Sequence, residues 1–290
     1  PSYGLTLDPA LENVQRMVLK FPDDSKLTPA QAKEVHLLWK SPGIQGAYEK
    51  RAEFWLLDSC DYYMENVDRF SEEDFVPNEE DSLRARIRTT GIVETDLQTR
   101  YERAEDEPPY LTMKVVDVGG QRNERKKWMH CFDDVKCILF LGSMAGYRQV
   151  LFEDSKKNRM AEALELFKEV AHNKIFKDTP IFLFLNKKDL FEMMIRKEPL
   201  STCFNDFKGD SSYATAFSYL KSKFREQLPA HKEVEIFDVT GVSRRDIKEA
   251  FQEVKKRLLE VHRPRMNKER DEISRKLRQM QGGNRGCSVM

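Results

Sequence analysis

The sequence predicts an α/β protein: a mostly parallel sheet flanked by helices, preceded by an all-helical module. Three observations predict it. The apolar runs VKCILFLG, PIFLFLN and VEIFDV are continuous rather than alternating, as strands buried on both faces are. Amphipathic stretches separate them, with Met160, Leu164, Phe167 and Ala171, and later Ile247, Ala250, Phe251, Val254 and Leu258, at helical spacing. The stretch up to Asp81 has helical periodicity and no strand-like alternation.

Taken in order, Leu11, Val14, Met17 and Val18 fall on one helical face, and a second amphipathic run covers Pro29 to Trp39. Gly and Pro are rare there except at KSPGIQG. At FVPNEEDSLRAR, Pro77, Asn78 and an acidic cluster interrupt the pattern and an extended segment is expected to follow. The boundary is placed there: residues 1–81 as the helical domain, 82–263 as the sheet domain and 264–290 as a basic tail. IVETDLQTRYER and YLTMKVVDV, joined by the charged turn AEDEPP, suit an antiparallel hairpin. Ligands of open parallel sheets sit at the carboxyl ends of the strands, so chemistry is sought there.

Composition narrows the function classes. With 290 residues, 40% hydrophobic and 34% charged, the chain can bury a large core, which excludes wholesale disorder. Its 49 basic residues balance 49 acidic ones, so no net field draws the whole chain to a polyanion, and no nucleic acid is expected as a partner. No apolar stretch of about 18 residues could span a bilayer, and PSYGLTLDPALENVQRM lacks the features of a signal peptide, so a cytosolic setting is the expectation. Cys60, Cys131, Cys137 and Cys203 lack metal-site spacing and read as reduced packing residues; Cys287 stands apart.

Two motifs carry chemistry. Asp117-Val118-Gly119-Gly120-Gln121 follows the strand KVV. There an aspartate can reach a magnesium ion through water, and a glycine lets its N–H approach a terminal phosphate. The bland alternative is a glycine-rich turn with a capping aspartate. Asn186-Lys187-Lys188-Asp189 follows IFLFL. A carboxylate at Asp189 can accept from the ring N–H and exocyclic amine of guanine, Asn186 can tether the loop and touch the base edge, and the Lys187 stem can pack on the ring. Here the alternative is a solvated helix start.

Together, in this order and after such strands, the motifs resemble those of heterotrimeric G-protein alpha subunits. The resemblance rests on LRARIRTTGIVET, DVGGQRNERKKWMHCF, FLNKKDLF and the upstream LWKSPGIQGAYEKRAEFWLLDSCDYYMENVDRF, and covers about Leu27 to Val261. It implies a Ras-like GTPase domain joined to an all-helical domain, binding GTP or GDP with Mg2+ and hydrolysing GTP. Arg86 matches the arginine that neutralises charge on the transferred phosphoryl group, and Gln121 the residue that orients the attacking water. Thr89 matches a direct magnesium ligand, and Asp117 one acting through water. Asp58 and Ser59 match helical-domain residues closing over the nucleotide, and Leu83, Arg84, Ala85, Arg86, Ile87, Arg88 and Thr89 would line it from the linker side. The stretch RNERKKWMHCF matches the second switch, where composition alone also allows an ordinary basic amphipathic helix. Implied partners are the beta-gamma dimer, a G-protein-coupled receptor, a downstream effector, a regulator of G-protein signalling and the inner membrane leaflet. The implied location is the cytoplasmic face of the plasma membrane.

The sequence departs from the family in three places. No G-x-x-x-x-G-K-[ST] phosphate loop occurs in it. The family's first strand, which carries that loop, is central in the sheet; its absence would leave neighbouring strands unpaired, so the chain is expected to fold poorly alone and bind GTP weakly or not at all. A fragment of a complete subunit and a degenerate form compete as explanations, and the surviving nucleotide-directed groups favour the fragment. After the last strand the family's Thr-Cys-Ala-Thr is replaced by Asp238-Val239-Thr240-Gly241-Val242, so Thr240 or Gly241 would offer its N–H to the guanine oxygen. The end Cys287-Ser288-Val289-Met290 fits a prenylation pattern at Cys287, behind about eleven basic and four acidic residues between Lys255 and Arg285. Two rivals stay open: a non-catalytic module engaging beta-gamma or effectors without nucleotide, and a small monomeric GTPase with a helical extension. The latter leaves Asp58, Ser59 and Arg86 unexplained.

Overall fold

The computed structural model describes residues 3–22, 25–85, 89–100, 111–154 and 156–282. By its internal contacts the chain divides into two units, Pro1–Val135 with Ala145–Glu165 and Glu198–Lys208, and Lys136–Met144 with Leu166–Lys197 and Gly209–Met290.

The first unit opens with helices α1 (Glu12–Val18), α2 (Pro29–Lys40), α3 (Pro42–Glu49), α4 (Cys60–Glu65), α5 (Val67–Phe70) and α6 (Glu79–Arg84). Helix α2 starts where Thr28 accepts from Gln31 N and Gln31 bonds back to Thr28 N, with Pro29 in the first turn where its missing N–H costs nothing. Its spacing then turns Ala32 and Val35 onto Val67 of α5, with Val18, Phe21, Leu27 and Met64 packed around them. Where the sequence suggested only an interruption, α6 forms. Asn78 accepts from Asp81 N, Asp81 bonds back to Asn78 N, and three acidic residues in the first turn complement the helix dipole. Strands β1 (Ile92–Thr99) and β2 (Leu111–Val118) then pair antiparallel, from Ile92 opposite Val118 to Thr99 opposite Leu111, the hairpin expected for these two segments.

The second unit holds β3 (Ile138–Ser143), β4 (Ile181–Asn186) and β5 (Val234–Val239), parallel in the order β3-β4-β5. Its helices are α8 (Lys188–Lys197), α9 (Tyr213–Arg225) and α10 (Arg244–Gly282); α7 (Arg159–Ala171) begins in the first unit and ends in the second. Ile181 to Leu185 of β4 are all buried, which explains the unbroken apolar run: the middle strand has a helix-covered face on either side. On one face Phe182, Phe184 and Val239 pack with Ala250 and Val254 of α10. On the other, Phe167 sits edge-on to Phe140 and Phe224, with ring centroids 5.1 and 5.3 Å away. Burying each such side chain is worth about 1.5–3 kcal/mol. Among the described residues no strand pairs with the other edge of β3, and Leu141 there is 66% exposed.

The carboxyl-terminal part differs from a plain tail. Helix α10 continues to Gly282, through Pro264 and the whole described part of the stretch read as a tail. Among the described residues no helix is long and apolar enough to cross a membrane. Cys287 lies outside the described residues.

Candidate functional site

The sequence-predicted site residues fall into two groups, one in each unit. In the first, β2 ends at Val118, opposite Ile92, and delivers Asp117 to the loop that follows. Thr89, ahead of β1, donates from Oγ1 to Asp117 Oδ2 at 3.1 Å. The two residues matched to a metal role are thus adjacent through 28 residues of chain. A hydroxyl and a carboxylate are the hard oxygen donors that magnesium takes, with water and phosphate oxygens filling its other positions. No cluster of three or more His, Cys, Asp or Glu that could cage a metal occurs among the described residues. This donor set fits magnesium held with a phosphate ligand.

Gly119 is fixed by close approach. A Cβ there would lie 2.8 Å from Thr89 O and 2.8 Å from Glu124 Cβ, so only glycine fits, while a Cβ at Gly120 would meet open space. Gly119 N donates to Gly91 O at 3.2 Å, Gly91 N donates to Glu124 Oε2 at 2.8 Å, and Trp128 Nε1 donates to Gly119 O at 2.8 Å. Glu124 is 7% exposed and also pairs with Lys127 at 2.7 Å. Gln121 turns the chain, its carbonyl accepting from Glu124 N and Arg125 N. The 3-10 helix Arg125–Cys131 follows, so RNERKKWMHCF is not an ordinary amphipathic α-helix. Arg122, Arg125 and Lys157 converge on the buried Glu162 at 2.6, 2.7 and 2.9 Å. Arg122 above all, then Lys157 and Arg125, hold its carboxyl well below the usual carboxylate range against the opposing effect of burial.

The helical-module residues have definite partners. Asp58 accepts from Gln149 Nε2 at 2.7 Å, and Arg159 Nη1 donates to the same glutamine at 2.6 Å. Ser59 Oγ donates to Arg84 O at 2.9 Å, tying α4 to the end of α6. Arg84 pairs with Glu80 at 2.8 Å and lies over the Tyr62 ring; Leu83 is exposed and Ala85 terminates α6. Asp81, 4% exposed, anchors this corner by accepting from Tyr62 and from Arg69. Arg86, Ile87 and Arg88 lie outside the described residues.

In the second unit, Asn186 closes β4 and Lys187 takes a left-handed backbone, φ 65°. One atom, Asn186 Oδ1, accepts from Lys187 N at 2.6 Å and from Gly241 N at 2.8 Å, so the asparagine ties its own loop to the loop after β5. A Cβ on Gly241 would meet Asn186 Nδ2 at 2.9 Å. Thr240 N donates instead to Asp246 Oδ2 at 3.1 Å, and Asp246 shares a capping arrangement with Ser243 at the start of α10. Both backbone N–H groups considered for guanine therefore have internal partners. Asp189, in the first turn of α8, is exposed. Burial pushes the Lys187 ammonium down to about 8, opposed by Asp189. Lys188 does not share its neighbours' setting: its Nζ is 2.8 Å from Asp238 Oδ2.

Glu124, Glu162, Gln149 and Asp238 are the residues that sequence reasoning missed. Each acts through a partner at least 30 residues away or through a backbone N–H, and no spacing rule marks such a contact. Only Glu124, three residues past Gln121 on the same turn, had a local signal.

A family model described as G-protein alpha subunit matches residues 5–258. The chain is 45% identical over 243 residues to the guanine nucleotide-binding protein alpha-8 subunit of Dictyostelium discoideum, covering 83% of this chain and 58% of that one. It is 40% identical over 261 residues to the alpha-4 subunit of the same organism, covering 89% of this chain and 73% of that one. The chain thus spans less than two thirds of the length of the first relative.

Proposed function

This chain belongs to the G-protein alpha subunit family, and from that premise we propose that it is the guanine-nucleotide switch of a heterotrimeric G protein, hydrolysing GTP to GDP and phosphate. The observation that carries the reading is the Thr89–Asp117 pair at the end of β2, followed at once by a glycine that no other residue could replace. Bound Mg2+ would supply charge neutralisation on the phosphates. Thr89 and Asp117 would hold it, Asp117 through water. Gly120, with open space about its Cα, would let a terminal phosphate approach its N–H. Gln121 would place the attacking water and Arg86 would stabilise charge on the phosphoryl oxygens. Asp58, Ser59 and the segment Leu83 to Thr89 would cover the nucleotide.

In the second unit Asn186 and Asp189 would read the guanine edge while the Lys187 stem covers the ring face. Lys188 would serve the loop rather than the base. Gly241 would exchange Asn186 Oδ1 for the guanine oxygen, since the N–H of Thr240 is held by Asp246. Arg122, Arg125 and Trp128, gathered on Glu162 and Gly119, would form the surface that changes with the terminal phosphate and meets beta-gamma or an effector. Receptor coupling, a regulator of G-protein signalling and attachment to the cytoplasmic face of the plasma membrane, through the basic stretch and a prenylated Cys287, complete the proposal. So does the domain boundary near Asp81.

The test is single-turnover phosphate release by the full-length natural protein. Gln121→Leu and Arg86→Cys should each slow release by about a hundredfold or more, the cost of removing one transition-state donor. Equal rates in all three proteins would defeat the proposal. Absence of magnesium-dependent GTP binding would favour the rival, a degenerate subunit binding its partners without nucleotide.

A further inference from the structure

Asp238 opens the segment Asp238-Val239-Thr240-Gly241-Val242 but has been given no role so far. It lies on β5, opposite Leu185 of β4 in the parallel register, one step before the Asn186–Val239 pair. Its Oδ2 accepts from Lys188 Nζ at 2.8 Å and from Tyr213 OH at 2.6 Å. The Lys188 ammonium also lies 5.4 Å from the centre of the Tyr213 ring. One carboxylate oxygen thus gathers the first residue of α8, the first residue of α9 and the end of β5.

The contact is partly sheltered, the Lys188 and Asp238 side chains being 34% and 29% exposed. Burial alone would raise the Asp238 carboxyl, but Lys188 and Tyr213 hold it below its ordinary value, so the carboxylate stays charged. Beside it the chain is in an unfavourable conformation. Lys187 at φ 65° has a side chain where glycine is preferred, and such a residue persists only when its surroundings over-determine it. Asn186 Oδ1 holds the turn from one side through Lys187 N. The Lys188–Asp238 pair holds it from the other. Asp189 is the next residue after this turn.

Resting on the guanine-nucleotide reading above, we infer that Asp238 is a positioning residue for base recognition, clamping the Asn186–Asp189 loop to the Thr240–Gly241 loop through Lys188 and Tyr213. Asp238 touches no ligand in this account. Its effect passes through the aim of Asp189, whose carboxylate must meet the ring N–H and the 2-amino group of guanine together. Loosening the clamp therefore erodes discrimination between guanine and hypoxanthine, which lacks that amino group, more than it erodes phosphate-driven affinity.

The experiment is competition of GDP and IDP for a fluorescent GDP analogue on the full-length natural protein, with thermal melting recorded alongside. In the wild type GDP should compete better than IDP. Asp238→Asn and Lys188→Met should each reduce the GDP-to-IDP preference by about tenfold, the scale of one hydrogen bond to a charged group. Asp238→Glu, which keeps a carboxylate for Lys188, should hold the preference within about threefold of wild type. Should Asp238→Asn not fold, Lys188→Met decides, because its unbranched stem fills the same space without a charge. An unchanged preference accompanied only by a lower melting temperature would make Asp238 a stabilising residue and overturn the inference while leaving the switch proposal standing. Failure of the wild type to bind either nucleotide would overturn both.

Discussion

At the scale of single residues, Lys187 shows how a motif letter becomes a physical constraint. It follows a buried strand, has a left-handed backbone, and carries an ammonium that burial pushes down to about 8. Because the native value lies below the ordinary 10.5, the unfolded chain binds more protons between those two pH values. The burden on stability is therefore complete below about pH 8 and fades as pH rises toward 10.5. Lys187→Met should raise the melting temperature at pH 7, and the gain should shrink in melts taken near pH 10. A gain independent of pH would show that the ammonium is not the cause. The sequence suggested a lysine stem packed on a ring; it offered no means of seeing the left-handed turn, since φ depends on the bonds Asn186 makes.

At the scale of elements, α6 and α10 carry the lesson. The cluster at Pro77 and Asn78 reads as an interruption because proline and asparagine are poor helix-interior formers. The same residues are good starters, and Asn78 and Asp81 satisfy each other's backbone N–H groups in a helix only six residues long. Asn78→Ala should lower stability by about 1 kcal/mol, read as a lower urea midpoint at unchanged slope. A midpoint equal to wild type would mean that Tyr62 and Arg69 hold Asp81 without the cap. Helix α10 departs from a plain tail for a related reason: the charged residues of its distal part, mostly Lys, Arg and Glu, are strong helix formers even without an apolar face. The hairpin and the three parallel strands, by contrast, form where the charged turn and the unbroken apolar runs placed them.

At the scale of the whole molecule, the balance of 49 basic and 49 acidic residues conceals an uneven distribution. The stretch from Lys255 to Arg285 has about eleven basic residues and four acidic ones, most of it on the distal part of α10. A charge excess of that kind is drawn to an anionic surface at about 1 kcal/mol per basic residue close to it. The unprocessed full-length protein should sediment with vesicles rich in phosphatidylserine. Raising salt from about 0.1 to about 1 M, which shortens the Debye length from about 10 to about 3 Å, should release it. Equal binding to neutral vesicles, or binding indifferent to salt, would remove electrostatics from the account of localisation.

By itself the sequence determined the fold class, the family and the two loops to which the proposal assigns the chemistry, because hydrophobic period and short motifs are local properties written in neighbouring residues. Tertiary structure decided what those loops touch: Thr89 on Asp117, Glu124 on Gly91, three cations on Glu162, Asn186 on Gly241 and Lys188 on Asp238. Most of these pairs are separated by tens of residues along the chain. Their partners are chosen by which strands align and which groups burial leaves in need of a hydrogen bond, and that selection exists only once the chain has folded.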